Sequence, residues 1–331
     1  MKVFPHYFGK PGLEHHTFIN WELKRCFEDF GVQFTNQTDA DEIWIFDLSL
    51  LGVLSMLRWP KNKRRLFIFE PNAVNPLQHR DWIRKLFQFS YVFSRDQIRE
   101  SAQFVEGGGF NPNRIRVRSS DNKQLHSTLP ELIVSVAAGD KQSLQSGSLY
   151  WLRRDAMEAL AKEGFRVKLI GPFWQEGFWF RSKQIIYSVF QSLISGTLPK
   201  LWLARPRRFV SKRQSPNIEY LGYAEDEIDF YESGDIVLIV ENDIESLSEK
   251  LFSAVCSGSW VVYVGPEEAR ELPGMGCVLF SKPNVRDVLT NAFKAASLMQ
   301  SKSEALILDL ENRSFTSFYA RLVQKVLAQV S

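Results

Sequence analysis

The sequence predicts an α/β protein made of two doubly wound domains facing a central cleft. Three observations lead there. Short apolar runs recur along the chain: EIWIF at 42–46, LFIF at 66–69, DIVLIV at 235–240 and WVVYV at 260–264. Continuous apolar runs, rather than alternating ones, fit strands buried on both faces of a parallel sheet. Stretches with helical spacing separate these runs, and alternating strands and helices build doubly wound sheets. Finally, 331 residues at 44% hydrophobic suffice for two cores, and a polar, aperiodic segment at 119–130 stands between them. The expected domains are 1–125 and 126–315, with a closing helix at 316–331.

In the first domain, Val3-Phe4 starts a strand and Phe18 to Phe30 reads as a helix ended by Gly31. Strands follow at 42–46 and 66–69. Asp81 to Phe89 reads as a helix, 91–93 as a strand, 98–105 as a helix and 115–117 as a further strand. His15-His16 is adjacent in sequence, so the two rings diverge and are expected to pack rather than share a metal. Gly107-Gly108-Gly109 lacks the Lys-Ser/Thr of a phosphate loop and reads as a turn. Trp44, Trp59, Trp82 and Trp151 are expected in the core, and Trp174 at a strand end facing the cleft.

The second domain starts with a strand at 131–138. Leu149 to Glu163 is a helix closed by Gly164, and Arg166 to Ile170 a strand ending at Gly171-Pro172. A strand at 217–221 and a short helix at 225–231 lead into a β-α-β unit. Asp235 to Val240 is its first strand, Ser246 to Ser257 its helix, with Leu247, Leu251, Ala254 and Val255 on one face, and Trp260 to Val264 its second strand. Strand 277–280 and two helices finish the chain.

Between Gly177 and Ile218 this pattern breaks. The stretch has no Asp or Glu and eight cations: Arg181, Lys183, Lys200, Arg205, Arg207, Arg208, Lys212 and Arg213. The whole chain carries only +3, so the remainder is at −5. Phe178, Trp179, Phe180, Tyr187, Phe190, Trp202 and Phe209 are interleaved with the cations. Such an insertion is either a solvated basic face over an ordinary helix or a contact with an anionic membrane surface. No groove-reading or RNA-binding motif accompanies the charge, so nucleic acid is not an expected partner.

Three scattered cysteines, Cys26, Cys256 and Cys277, form no disulfide framework and suggest a reducing compartment. The first ten residues lack the long apolar core of a signal peptide, and no run of about 18 apolar residues spans a bilayer. The expectation is a cytoplasmic protein, peripheral on the inner face of the membrane if the basic insertion touches lipid.

Parallel sheets bind ligands beyond the C-terminal ends of their strands. Glu241 and Asn242 fall at such an end. Glu249 and Lys250 fall in the first turn of the following helix, where backbone N–H groups favour anions. A lysine there is unfavourable with the helix dipole, so it calls for a ligand. Glu70-Pro71 ends the LFIF strand in the same way, and a carboxylate so placed suits a general base.

The pattern V-E-N-x6-E-K-L-F-x-A-x3-G-x3-V-Y-V-G-P over 240–266 resembles the donor-binding motif of the α-1,3-fucosyltransferase family, in Glu241, Asn242, Glu249, Lys250, Leu251, Gly258, Val262, Gly265 and Pro266. FIFEP at 67–71 resembles the family strand whose Glu is the catalytic base, here Glu70. Residues 135–154, with Lys141 and Arg153 or Arg154, fall where that family binds phosphate. The resemblance implies a GT-B-like architecture of two Rossmann-type domains. It also implies metal-independent, inverting transfer from a nucleotide sugar, GDP-fucose in that family, to a glycan or lipid-linked glycan. No further cofactor is expected. The chain departs from the pattern: six residues, not eight, separate Glu-Asn from Glu-Lys, Ser246 stands for a Tyr and Val261 for a Pro. The shorter interval also places Glu241 and Glu249 in the Glu-x7-Glu spacing of retaining GT-B hexosyltransferases. That second reading stays open, as does a non-catalytic nucleotide-sugar or glycan-binding protein on the same scaffold.

Overall fold

The computed structural model describes residues 1–7, 10–11, 27–70, 72, 74–92, 103–104, 132–205, 216–224, 226–245, 247–272 and 275–300. The chain divides into two compact units, with one sheet inside Met1–Gly109 and the other inside Phe110–Leu193 and Leu198–Arg313. The readings of His15-His16, Cys26, the triple glycine, the strand at 115–117, the segment 119–130 and the helix at 316–331 lie outside the described residues. The helix read over 98–105 is corrected where it is described: Gln103 and Phe104 pair in parallel with Tyr91 and Val92 and so form a strand, and the rest of that stretch lies outside the described residues. So does most of the helix read over 18–30.

The first sheet contains β1 (Lys2–Tyr7), β2 (Lys10–Pro11), β3 (Gln33–Phe34), β4 (Glu42–Phe46), β5 (Arg64–Ile68), β6 (Phe89–Val92) and β7 (Gln103–Phe104). Its order is β2-β1-β4-β5-β6-β7, with β3 also on β1. Every pairing is parallel except the short β1–β2 contact. Ile43, Ile45, Leu66 and Ile68 cover one face with Leu48, Met56 and Ile83. On the other face, Phe27, Trp44, Phe46, Phe67 and Tyr91 form a chain of ring contacts. Both faces are apolar, which is why these strands read as continuous runs. Full burial of each such side chain contributes about 1.5–3 kcal/mol.

Among the described residues, this unit includes the helices α1 (Leu50–Met56) and α2 (Asp81–Arg84). Helix α1 went unread because its residues, LLGVLSM, show no amphipathic period. Its start is marked instead by Ser49, whose hydroxyl accepts from the Gly52 N–H. Helix α2 is shorter than the expected 81–89, because Arg64 Nη1 captures the Leu86 carbonyl and the chain turns into β6. Trp82 is exposed, a correction to its expected core position.

The second sheet is wholly parallel. Its strands are β8 (Ile133–Ala137), β9 (Arg166–Ile170), β10 (Ile218–Gly222), β11 (Ile236–Val240), β12 (Trp260–Val264) and β13 (Val278–Phe280), in the order β10-β9-β8-β11-β12-β13. Helices α3 (Tyr150–Lys162) and α7 (Val285–Gln300) pack on one face through Leu152, Ala156, Leu160, Val288 and Ala292. Helices α5 (Glu227–Glu232) and α6 (Glu249–Cys256) cover the other through Ile228, Tyr231, Leu251 and Val255. Trp174 is fully buried and donates its indole N–H to the Ala138 carbonyl at 2.6 Å. It is a core residue, a correction to its expected place in the cleft.

Helix α4 (Phe178–Ile194) occupies the start of the basic segment. Two of the eight cations there are internal ligands. Arg181 is fully buried against Asp140, and Arg205 pairs with Asp155 at 2.9 Å. The segment is therefore not a uniformly solvated basic face. Lys183 and Lys200 are exposed, and the remaining four cations lie outside the described residues.

Candidate functional site

In the second unit, the strand ends of β8 and β11 each run into a loop that leads to a helix. These two loops are joined to one another. The Leu149 N–H donates to the Asn242 carbonyl at 3.0 Å, and Ser148 bridges Asp243 in antiparallel fashion. Arg153, one turn into α3, lies beneath the junction. Its Nε donates to the Val240 carbonyl and its Nη2 to Asn242 Oδ1, both at 2.8 Å, and its guanidinium lies over the Tyr150 ring. Burial lowers its pKa, with Tyr150 and Glu241 opposing. A planar fork that grips two acceptors suits Arg and not Lys. Arg153 thus shapes the loops from below.

Glu241 is 2% exposed. Its Oε1 accepts from the Ser248 N–H at 3.1 Å and from the Tyr263 hydroxyl at 3.2 Å. Ser248 immediately precedes α6, so a buried carboxylate pins the start of the helix that carries Glu249 and Lys250. Burial pushes the Glu241 carboxyl up to about 7, while hydrogen bonding from Ser248 and the charges of Lys250 and Arg153 pull it back. Gly265 is required beside it. A Cβ there would overlap the Tyr263 hydroxyl and come within 2.7 Å of Glu241 Cγ. Asn242 and Lys250 are half-buried, and Lys141 is half-buried on the loop leaving β8.

Behind that loop, Asp140 accepts from Arg154 Nε at 2.9 Å and Nη2 at 2.6 Å, and pairs with Arg181. Burial raises its carboxyl to about 7 against the pull of Arg181. Arg154 is engaged here, which leaves Arg153 as the arginine that meets the β11 loop.

In the first unit, Glu70 follows β5 and is half-buried. Its backbone is held on both sides. The N–H groups of Phe69 and Glu70 donate to Asp47 Oδ1 at 2.9 and 2.8 Å. The Glu70 carbonyl accepts from Gln78 Nε2 and from the His79 ring, each at 2.9 Å. Gln78 Nε2 also donates to Asp47 Oδ1. Arg65, a neighbour in sequence, is taken by Glu42 at 2.7 Å and by the Tyr91 hydroxyl at 3.1 Å.

Asp47 is the residue that sequence reasoning missed. It is buried, adopts φ +54°, and its Oδ2 has no hydrogen-bond partner among the described residues. A non-glycine residue in the left-handed region at a strand end marks a position where structure overrides local preference. Burial first, and then the Glu70 charge, raise its carboxyl to about 7. The signal was the one that revealed Glu70: an acid immediately after an apolar strand.

Each half is thus organised around a buried carboxylate that holds a half-buried group in place. Asp47 fixes the backbone of Glu70, and Glu241 fixes the helix start bearing Glu249 and Lys250. Of the seven residues singled out from sequence, Glu241 and Asn242 lie at one strand end, where Arg153 of α3 reaches Asn242 and the charge of Lys250 acts on Glu241, and Glu249 opens the same helix as Lys250. Lys141 lies on the adjoining loop, and Glu70 belongs to the other unit.

No protein-family model and no curated protein matches this chain. Solved structures do. The chain is similar to HepE from Anabaena in complex with UDP-glucose, with 14% identity, 99% of each chain covered and a TM-score of 0.57. It is similar to the apo form of the lipopolysaccharide outer core galactosyltransferase WaaB, with 11% identity, 99% of this chain and all of the other covered, and a TM-score of 0.54. Sucrose-phosphate synthase from Thermosynechococcus elongatus matches at 10% identity and a TM-score of 0.54, over 89% of this chain and 74% of the other. Likeness at these identities establishes fold, and the fold is GT-B: two Rossmann-like units, each a sheet of parallel strands flanked by helices.

Proposed function

We propose that the protein transfers a sugar from a nucleotide-sugar donor to a hydroxyl of a glycan or lipid-linked glycan. The observation that carries this reading is the joined pair of loops at the ends of β8 and β11, gathered around Arg153, Asn242 and Glu241. In this reading the donor diphosphate meets Lys250 in the first turn of α6, with Lys141 on the neighbouring loop. Their charge offsets the negative charge that grows on the leaving diphosphate, without a metal. Glu249 and Asn242 hold donor hydroxyls. Glu70 takes the proton of the acceptor hydroxyl, its backbone held by Asp47, Gln78 and His79. Support for a nucleotide-sugar donor comes from the full-length likeness to a protein solved with UDP-glucose.

Donor and stereochemistry divide into two readings. The Glu-Asn, Glu-Lys and Gly-Pro set supports GDP-fucose and inversion, with Glu70 as base. The Glu-x7-Glu interval, together with UDP-glucose in HepE, supports a UDP-hexose and retention. Retention by the second route asks Glu241 to hold the donor. Its carboxylate is already buried on the Ser248 N–H and the Tyr263 hydroxyl, which favours inversion.

A thermal-shift screen against UDP, GDP and ADP and their sugars tests donor binding. One nucleotide class should raise the melting temperature, and no response to any would overturn the reading. The anomeric configuration of the transferred sugar, read by NMR, then separates inversion from retention.

A further inference from the structure

Helix α4 carries its apolar residues outward and its polar residues inward. Trp179, Ile186, Phe190 and Leu193 recur at helical spacing on one stripe, and all are exposed, Trp179 at 79% and Leu193 at 64%. Arg181, Ser188 and Ser192 form the opposite stripe, and all three are buried. The inner stripe is anchored by specific bonds. Arg181 pairs with Asp140, Ser188 Oγ accepts from the Leu144 N–H at 2.8 Å, and Ser192 Oγ accepts from Gln145 Nε2 at 2.6 Å. Rolling the helix to hide its apolar stripe would break these bonds and strand a buried guanidinium, so the outward face is built in. Trp202, in the turn that follows α4, is also exposed.

We propose that this face seats the protein on the surface of an anionic lipid bilayer. No described helix is long and apolar enough to cross a membrane. Helix α4, at 17 residues, is about 25 Å long and suits a position in the plane of the interface. Its aromatic residues, Trp179, Tyr187 and Phe190, are of the kind that settles among headgroups. Lys183 on the helix and Lys200 beyond it are exposed, and no acidic residue occurs from 177 to 217. That charge matches anionic headgroups. It disfavours a second copy, which would bring cations against cations with no carboxylate between them. The proposal is independent of the transferase reading.

The test is co-sedimentation of the full chain with vesicles of phosphatidylglycerol and phosphatidylcholine, against vesicles of phosphatidylcholine alone. Binding should be at least about tenfold stronger to the anionic vesicles, and each of Lys183→Ala and Lys200→Ala should weaken it about fivefold. The triple variant Ile186→Glu, Phe190→Glu, Leu193→Glu should lose vesicle binding while its circular dichroism and melting temperature hold, because these side chains face solvent. Failure of the folded wild-type chain to bind anionic vesicles overturns the proposal. So does equal binding by the folded triple variant. A dimer in sedimentation equilibrium that the triple variant dissolves, without vesicle binding, would assign the face to self-association instead.

Discussion

Glu241 has a carboxyl near 7 because burial penalises its charge more than Ser248, Lys250 and Arg153 repay it. In the unfolded chain the same group titrates near 4.5. Between those values the folded state holds a proton that the unfolded state has released, so this group makes stability fall as pH rises from about 4.5 to about 7, and no further above that. The total is on the order of 3 kcal/mol. Glu241→Gln should flatten the decline in melting temperature between pH 5 and pH 7.5, and an unchanged pH profile would refute the assignment. Asp47 has a different role, since its Oδ1 collects three donors. Asp47→Ala leaves them without that acceptor and should cost about 2–4 kcal/mol in urea unfolding. Asp47→Asn keeps an acceptor oxygen and tolerates the positive φ, so it should cost about 1 kcal/mol or less. Glu70→Gln should abolish transfer, by about a hundredfold or more, while nucleotide binding by calorimetry stays within about twofold. Equal loss of both would remove Glu70 from the role of base.

Strands were the elements most legible in the sequence. EIWIF, Arg166 to Ile170 and WVVYV form strands with the expected bounds. In RVKLI the exposed Arg166 and half-buried Lys168 alternate with buried Val167 and Leu169, whereas in EIWIF and WVVYV burial on both faces leaves an apolar run. The β11-α6-β12 unit was legible for the same reason, and with it the strand edge carrying Glu241, Asn242 and Lys250. What sequence could not show is which groups complete that edge. Tyr263 and Gly265 meet Glu241 only because β11 and β12 pair in register, Val240 opposite Val264. Asp47 meets Phe69 and Glu70 only through the pairing of β4 with β5. Helix α4 was the least legible, since its apolar stripe marks the outside and its buried stripe is Arg and Ser. Register also governs the Gly265→Ala variant. The added methyl must displace the Tyr263 hydroxyl or Glu241. It should weaken nucleotide binding about tenfold or more and lower the melting temperature by several degrees, as overpacking costs about 1–3 kcal/mol.

At the scale of the whole molecule, two sheets with separate cores make ligand effects local. At a nucleotide concentration of 100 times Kd, binding contributes about 2.7 kcal/mol to whichever unit holds the site. Hydrogen exchange should therefore slow at 139–149 and 240–256 when nucleotide is added, and stay unchanged at 42–68. Slowing confined to the first unit would place the donor elsewhere. The strand order of the second sheet has a consequence for the chain while it is being made. Its central strand β8 is the first to leave the ribosome, yet its partner β11 lies far downstream, and the bond from the Ile133 N–H to Asp235 spans 102 residues. At about 5–20 residues per second, translation needs roughly 5–20 s to supply that partner. Once β9 has been made, Val134 and Val136 have it on one side and an open edge on the other for the rest of that interval. An open strand edge is a template for wrong pairing, and this one closes only when β11 emerges.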